Sequence, residues 1–133
     1  MTKTPKSRVK LANSALPGIV IWLKNHGSKT MVVTGYLKDK ILYINLSGEM
    51  DECSAQSARS RCDKLIEDNL FCKKIVINLS EVDFMDSTGI GFLIGRYKKA
   101  ARYNLPLYIE KPNFAADKIL NLSGIYSLIP KAQ

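Results

Sequence analysis

Asp86-Ser87-Thr88 is the stretch whose residue types are best suited to chemistry. It follows the β-branched run Ile75 to Leu79 and a polar segment, Ser80 to Met85, which reads as a turn with two apolar anchors. It opens a segment in which Ile90, Leu93, Ile94, Tyr97 and Ala101 recur at helical spacing. Aspartate, serine and threonine all cap helices, because their side-chain oxygens accept from the free N–H groups of the first turn. A hydroxyl at that point also sits at the positive end of the helix dipole. A phosphate on Ser87 would be tolerated by the helix while changing the sign of the surface around it. Taken alone, the tripeptide leaves two readings open: a plain N-cap and a modifiable hydroxyl.

Catalysis by the domain itself is not expected. His26 is the single histidine and lies outside the segment that reads as the domain, so a Ser-His-Asp arrangement has no general base. Adjacent Asp86 and Ser87 at a helix start do not face each other as a dyad. No Asp, Glu or His cluster has metal-ligand spacing, and no metal or other cofactor is expected. Gly89, Gly91 and Gly95 after a strand, with Glu110 ending the next, superficially suggest a dinucleotide fingerprint. The spacing is not Gly-x-Gly-x-x-Gly, and the glycines fall within the helix. Gly89 and Gly91 read instead as small residues that keep the helix start accessible to a partner. Ile90 and Phe84 read as core, whereas Met85 and Phe92 read as apolar contacts if exposed.

Positioning these residues requires a sheet. Residues 31–37 and 41–46 form a β-hairpin across the polar turn Lys38-Asp39-Lys40. Ser47 to Asp51 leaves the second strand, and Ala55, Ala58, Cys62, Leu65 and Ile66 mark one face of a helix over about 54–67. The strand at 75–79, the helix opened by Ser87, a strand at 105–110 and a short helix ended near Gly124 follow; residues 126–129 read as a last strand or turn. This order predicts an α/β fold: a single domain whose mixed, mostly parallel sheet carries helices and opens with an antiparallel hairpin. Loops at the carboxyl ends of parallel strands form the working edge of such a sheet. If the strands they leave are neighbours, Asp51 and Ser87 share one rim, although Asp51 also reads simply as the N-cap of the first helix.

The longer string Val82-Asp83-Phe84-Met85-Asp86-Ser87-Thr88-Gly89-Ile90-Gly91, followed by Leu93-Ile94-Gly95-Arg96-Tyr97-Lys98, resembles the signature of STAS domains. More narrowly, it resembles the bacterial anti-sigma-factor antagonists, with the sporulation type the nearest. Leu46 to Asp51 and Leu122 to Ile125 are two further family-like patches, and the resemblance runs from about Met31 to Pro130. It implies that Ser87 is phosphorylated by an anti-sigma factor that is itself a kinase, and that a serine phosphatase reverses the modification. It also implies a partner-binding surface of Asp51, Asp86, Ser87, Thr88, Gly89 and Ile90. The alternative is a phospho-regulated STAS scaffold or signalling module with a different partner.

Charge and composition narrow the remaining classes. The chain of 133 residues is long enough for one domain, with a formal net charge of +8. Six of its 20 basic residues lie in residues 1–30, which contain no acid; residues 31–133 hold 14 basic against 12 acidic side chains. The basic character therefore belongs to an N-terminal extension, residues 1–30, which reads as partly disordered up to residue 16. Pro17 to Leu23 reads as an extra edge strand or a hydrophobic arm. The extension lacks interleaved aromatics apart from Trp22, so no direct nucleic-acid partner is expected. No apolar run approaches a bilayer span of ~20 residues, and the expectation is a cytoplasmic protein without membrane contact. Cys53, Cys62 and Cys72 form no Cys-x-x-Cys pair and read as reduced thiols, with Cys62 packed on a helix face.

Overall fold

The computed structural model describes the backbone at residues 9–10, 20–26 and 29–132, and side chains from Met31 to Ala132. Ten elements follow in chain order. They are β1 (Val9–Lys10), β2 (Val20–His26), β3 (Lys29–Lys38), β4 (Ile41–Met50), α1 (Glu52–Glu67), β5 (Lys74–Met85), α2 (Ser87–Ala101), β6 (Leu107–Glu110), α3 (Phe114–Ser123) and a 3₁₀ turn at Ile125–Ser127. One mixed sheet contains all six described strands in the order β1-β2-β3-β4-β5-β6. β1 through β4 pair antiparallel, whereas β4–β5 and β5–β6 pair parallel across the helical crossovers.

The β3–β4 hairpin turns where expected. Asp39 and Lys40 both adopt positive φ, 54° and 66°, the left-handed pair that matches strand twist in a two-residue turn. Antiparallel pairing reaches further than this hairpin. β2 pairs with β3 from Val20↔Gly35 to His26↔Lys29, and β1 is added outside it. Of the segment Pro17 to Leu23, read as an extra edge strand or a hydrophobic arm, Val20 to Leu23 belongs to a strand. That strand runs on to His26 and lies inside the sheet, because β1 pairs along its outer side; β3 carries the sheet across residue 30. The reading of residues 1–16 as disordered lies outside the described residues apart from Val9–Lys10.

Helices cover one face of the sheet. Alternation along β4 buries Leu42, Ile44 and Leu46, and register places Ile44 beside Ile77 and Ile77 beside Ile109. These side chains share one core with Ala55, Ala58, Cys62, Leu65 and Ile66 of α1, Leu93 of α2 and Leu120 of α3. The predicted face of α1 is the buried one. Gly35 permits the close approach of α1: a Cβ there would stand 2.8 Å from Leu65 Cδ1.

β5 differs most from its expected form. The segment Ser80 to Met85 is not a turn but the second half of a 12-residue strand. Its polar residues sit at two irregularities, where β5 advances one residue relative to β4: between Asn45↔Asn78 and Ser47↔Glu81, and again before Glu49↔Phe84. Asn78 stabilises the first, since its Oδ1 accepts from Ser80 N at 2.8 Å and from Ser80 Oγ at 2.7 Å. Of the two readings for residues 126–129, strand or turn, the structure has the turn: a 3₁₀ turn at Ile125–Ser127, followed by the isolated parallel bridge Ile109↔Lys131.

Candidate functional site

The parallel β4–β5 ladder ends at the pair Met50↔Met85, and both side chains are buried beneath the helices. Each strand then passes directly into an aspartate. Asp51 Oδ1 accepts from Ser54 N at 3.0 Å, and Ser54 Oγ accepts from Asp51 N at 3.1 Å, which closes a reciprocal capping box on α1. Asp86 Oδ1 accepts from Thr88 N at 2.8 Å, and the Asp86 carbonyl accepts from Gly89 N at 2.9 Å. Both carboxylates therefore serve as N-caps on one rim of the sheet.

Ser87 is consequently not the cap. It is the first helical residue of α2, it is exposed, and its hydroxyl has no hydrogen-bond partner among the described residues. Asp86 performs the capping that the tripeptide left unassigned, so Ser87 Oγ stands free at the positive end of the helix. An exposed hydroxyl with open lone pairs can be approached as a nucleophile by a group-transfer enzyme. Asp51, Asp86 and the first turns of α1 and α2 supply no imidazole or lysine to activate it.

Packing sets the angle at which α2 presents this serine. Gly89 is buried, and a Cβ there would lie 2.4 Å from Met85 Cγ and 3.2 Å from Met50 Cγ. The glycine thus lets the first turn of α2 rest on the methionine pair, while Gly91 faces open space. Further along, Arg96 is 5% exposed; its Nε lies 2.9 Å from Asp63 Oδ1 of α1, and its guanidinium stacks over Phe92 at 5.1 Å. Neither Arg96 Nε nor Nη1 meets an acceptor in hydrogen-bonding geometry, so the contact is Coulombic rather than directed. Burial lowers the Arg96 pKa, and the neighbouring Asp63 carboxylate opposes that shift.

Of the residues singled out from sequence, Asp51, Asp86, Ser87 and Thr88 stand on the same rim, with Asp51, Asp86 and Thr88 half-buried. Ile90 is half-buried against the core. The apolar assignments around the serine are exchanged. Met85 and Phe92 are core, 3% and 2% exposed, whereas Phe84 is 49% exposed. The cause is the continued strand: pairing of Met50 with Met85 turns Met85 inward and leaves Phe84 opposite Glu49. Asn113 was missed. It caps α3 by accepting from Ala116 N at 2.8 Å, and its Nδ2 donates to the Val82 carbonyl at 2.9 Å, joining α3 to the end of β5. An asparagine directly before an apolar run is a readable cap signal; its second bond to β5 is not.

Among the described residues no helix is long and apolar enough to cross a membrane. The family described as STAS domain matches residues 35–132. The anti-sigma F factor antagonist of Paenibacillus polymyxa is 31% identical over 90 residues, covering 68% of this chain and 76% of that protein. The anti-sigma-B factor antagonist of Bacillus subtilis is 27% identical over 88 residues, covering 66% and 78% respectively. An anti-sigma factor antagonist from Mycobacterium paratuberculosis shares the fold, with a TM-score of 0.63 at 22% identity over 86% of each chain. The chain belongs to the STAS domain family, among relatives that are anti-sigma factor antagonists.

Proposed function

We propose that this chain binds a kinase-type anti-sigma factor through the rim around Ser87 and thereby releases a sigma factor. Phosphorylation of Ser87 switches the binding off, and a serine phosphatase restores it. The domain is then ligand and substrate, not catalyst, and works in the cytoplasm. The observation that carries this reading is the division of labour at the start of α2: Asp86 caps the helix, and the exposed Ser87 hydroxyl is left free. The relatives named as anti-sigma factor antagonists support the choice of partner.

The chemistry is a phosphoryl transfer. Ser87 Oγ attacks the γ-phosphorus of ATP held by the partner, the bond to ADP breaks, and a base of the partner accepts the hydroxyl proton. The product phosphoserine lies against the ADP phosphates and close to the Asp51 and Asp86 carboxylates. Repulsion and the cost of desolvating a dianion both weaken the complex. The helix itself accommodates the charge, because the phosphate sits at its N-terminus.

The test is phosphorylation by a purified serine-kinase anti-sigma factor with ATP, followed by intact mass and peptide mapping. One phosphate is expected in the wild type and in Thr88→Ala, none in Ser87→Ala, and loss of the complex after modification. Binding that persists without phosphorylation would make the chain a constitutive module and remove the switch.

A further inference from the structure

Phe84 and Phe114 are exposed aromatic side chains at the rim, at 49% and 85%. Both lie within two residues of the hydrogen bond between Asn113 Nδ2 and the Val82 carbonyl, which ties the segments that carry them together near the end of β5. Phe84 stands three residues before Ser87, and Phe114 is the first residue of α3. Isolated exposed apolar residues are ordinary, but these two border the surface proposed to receive a partner. The electrostatics there is distinctive as well. Residues 41–58 and 75–95, which carry Phe84 and Ser87, contain Glu49, Asp51, Glu52, Glu81, Asp83 and Asp86 and no lysine or arginine. The segment around Phe114 adds Glu110 and Asp117 against Lys111 and Lys118, so the rim is acidic in a chain of net charge +8.

Resting on the function proposed above, we infer that Phe84 and Phe114 are apolar anchors for the same anti-sigma factor. The partner presents an apolar pocket bordered by basic side chains, complementary to the acidic rim. Such an arrangement separates affinity from switching. The phenyl rings carry no charge, so their contribution is the same whether or not Ser87 is modified. The charge-dependent part belongs to Ser87 and the carboxylates beside it.

Titration calorimetry of the full chain with a purified serine-kinase anti-sigma factor and ADP tests this. Phe84→Ala and Phe114→Ala are each expected to weaken binding about tenfold or more, as buried aromatic anchors do. Each is also expected to leave unchanged the ratio of affinities between Ser87 and Ser87→Asp backgrounds. Phe114 is so exposed that its replacement leaves the melting temperature unchanged, which separates binding from folding. Wild-type affinity in Phe114→Ala and Phe84→Ala, or an altered Ser87 to Ser87→Asp ratio, overturns the inference while leaving the proposed function intact. Equal affinity of wild type and Ser87→Asp overturns the switch, and absence of any binding overturns both.

Discussion

Asp51 and Asp86 each stand one residue beyond a member of the Met50↔Met85 pair, and each carboxylate caps the helix that its strand feeds. Two aspartate-capped strand-to-helix transitions are thereby held side by side. They differ at the cap: Asp51 closes a reciprocal box with Ser54, whereas the Asp86 carboxylate accepts from Thr88 N alone among the described residues and is followed directly by the unpartnered Ser87.

Loss of either cap should cost stability without changing the fold. Asp51→Ala and Asp86→Ala are each expected to lower unfolding free energy by about 1 kcal/mol, measured by urea denaturation. Asp86→Asn or Asp86→Ser should recover most of that loss, because the capping oxygen returns. The same stability in Asp86→Ala as in wild type would show that Thr88 N finds another acceptor.

Gly89 and Gly91 are expected to respond in opposite directions. Gly89→Ala drives a methyl into Met85 and should destabilise by about 1–3 kcal/mol, the usual cost of overpacking. Gly91→Ala meets nothing within 4 Å and should stabilise by up to about 1 kcal/mol, since alanine is the better helix former. Thermal melts of the two variants decide it. Equal effects would mean that α2 does not rest on the methionine pair.

Negative charge at position 87 should not unfold the protein. Ser87→Asp sits in the first turn of α2 and is expected to change stability by no more than about 0.3–1 kcal/mol, in the stabilising direction. Added salt should shrink the gain, as screening of an exposed charge requires. A marked fall in the melting temperature would mean that any loss of partner binding in this variant reflects unfolding rather than switching.

The thiols should separate by burial. Cys53 is exposed, whereas Cys62 and Cys72 are buried. Iodoacetamide at pH 8 should add one group to the native chain, at Cys53, and three after unfolding in urea. Burial pushes the Cys62 thiol up to about 12, with the Arg96 charge opposing, and it raises Cys72 as well. A raised folded pKa contributes stability that is complete below the unfolded thiol value of about 8.5 and is lost as pH rises towards the folded value. Tyr126 acts in the same sense, raised first by its burial and then by donation to Asp117 at 2.6 Å. Stability should therefore decline above about pH 9, and Tyr126→Phe should flatten part of that alkaline limb. An unchanged alkaline limb would exclude Tyr126 as a contributor.

The sequence by itself determined what depends on near neighbours along the chain. The apolar face of α1 from Ala55 to Ile66 and the start of α2 beside Ser87 follow from i, i+3, i+4 spacing and from cap chemistry, which act within one or two turns. The sheet with helices followed from the alternation of strand and helix, whereas the common rim of Asp51 and Ser87 needed the further fact that β4 and β5 are neighbours. Only the tertiary structure decided which of Asp86 and Ser87 caps the helix, how far β5 continues, and which of Phe84 and Met85 faces outward. Those outcomes depend on pairing with β4 across a sequence separation of 35 residues, from Met50 to Met85, and on two one-residue irregularities in that ladder. A shift of one residue exchanges the two faces of a strand, and no local signal in Ser80 to Met85 encodes such a shift.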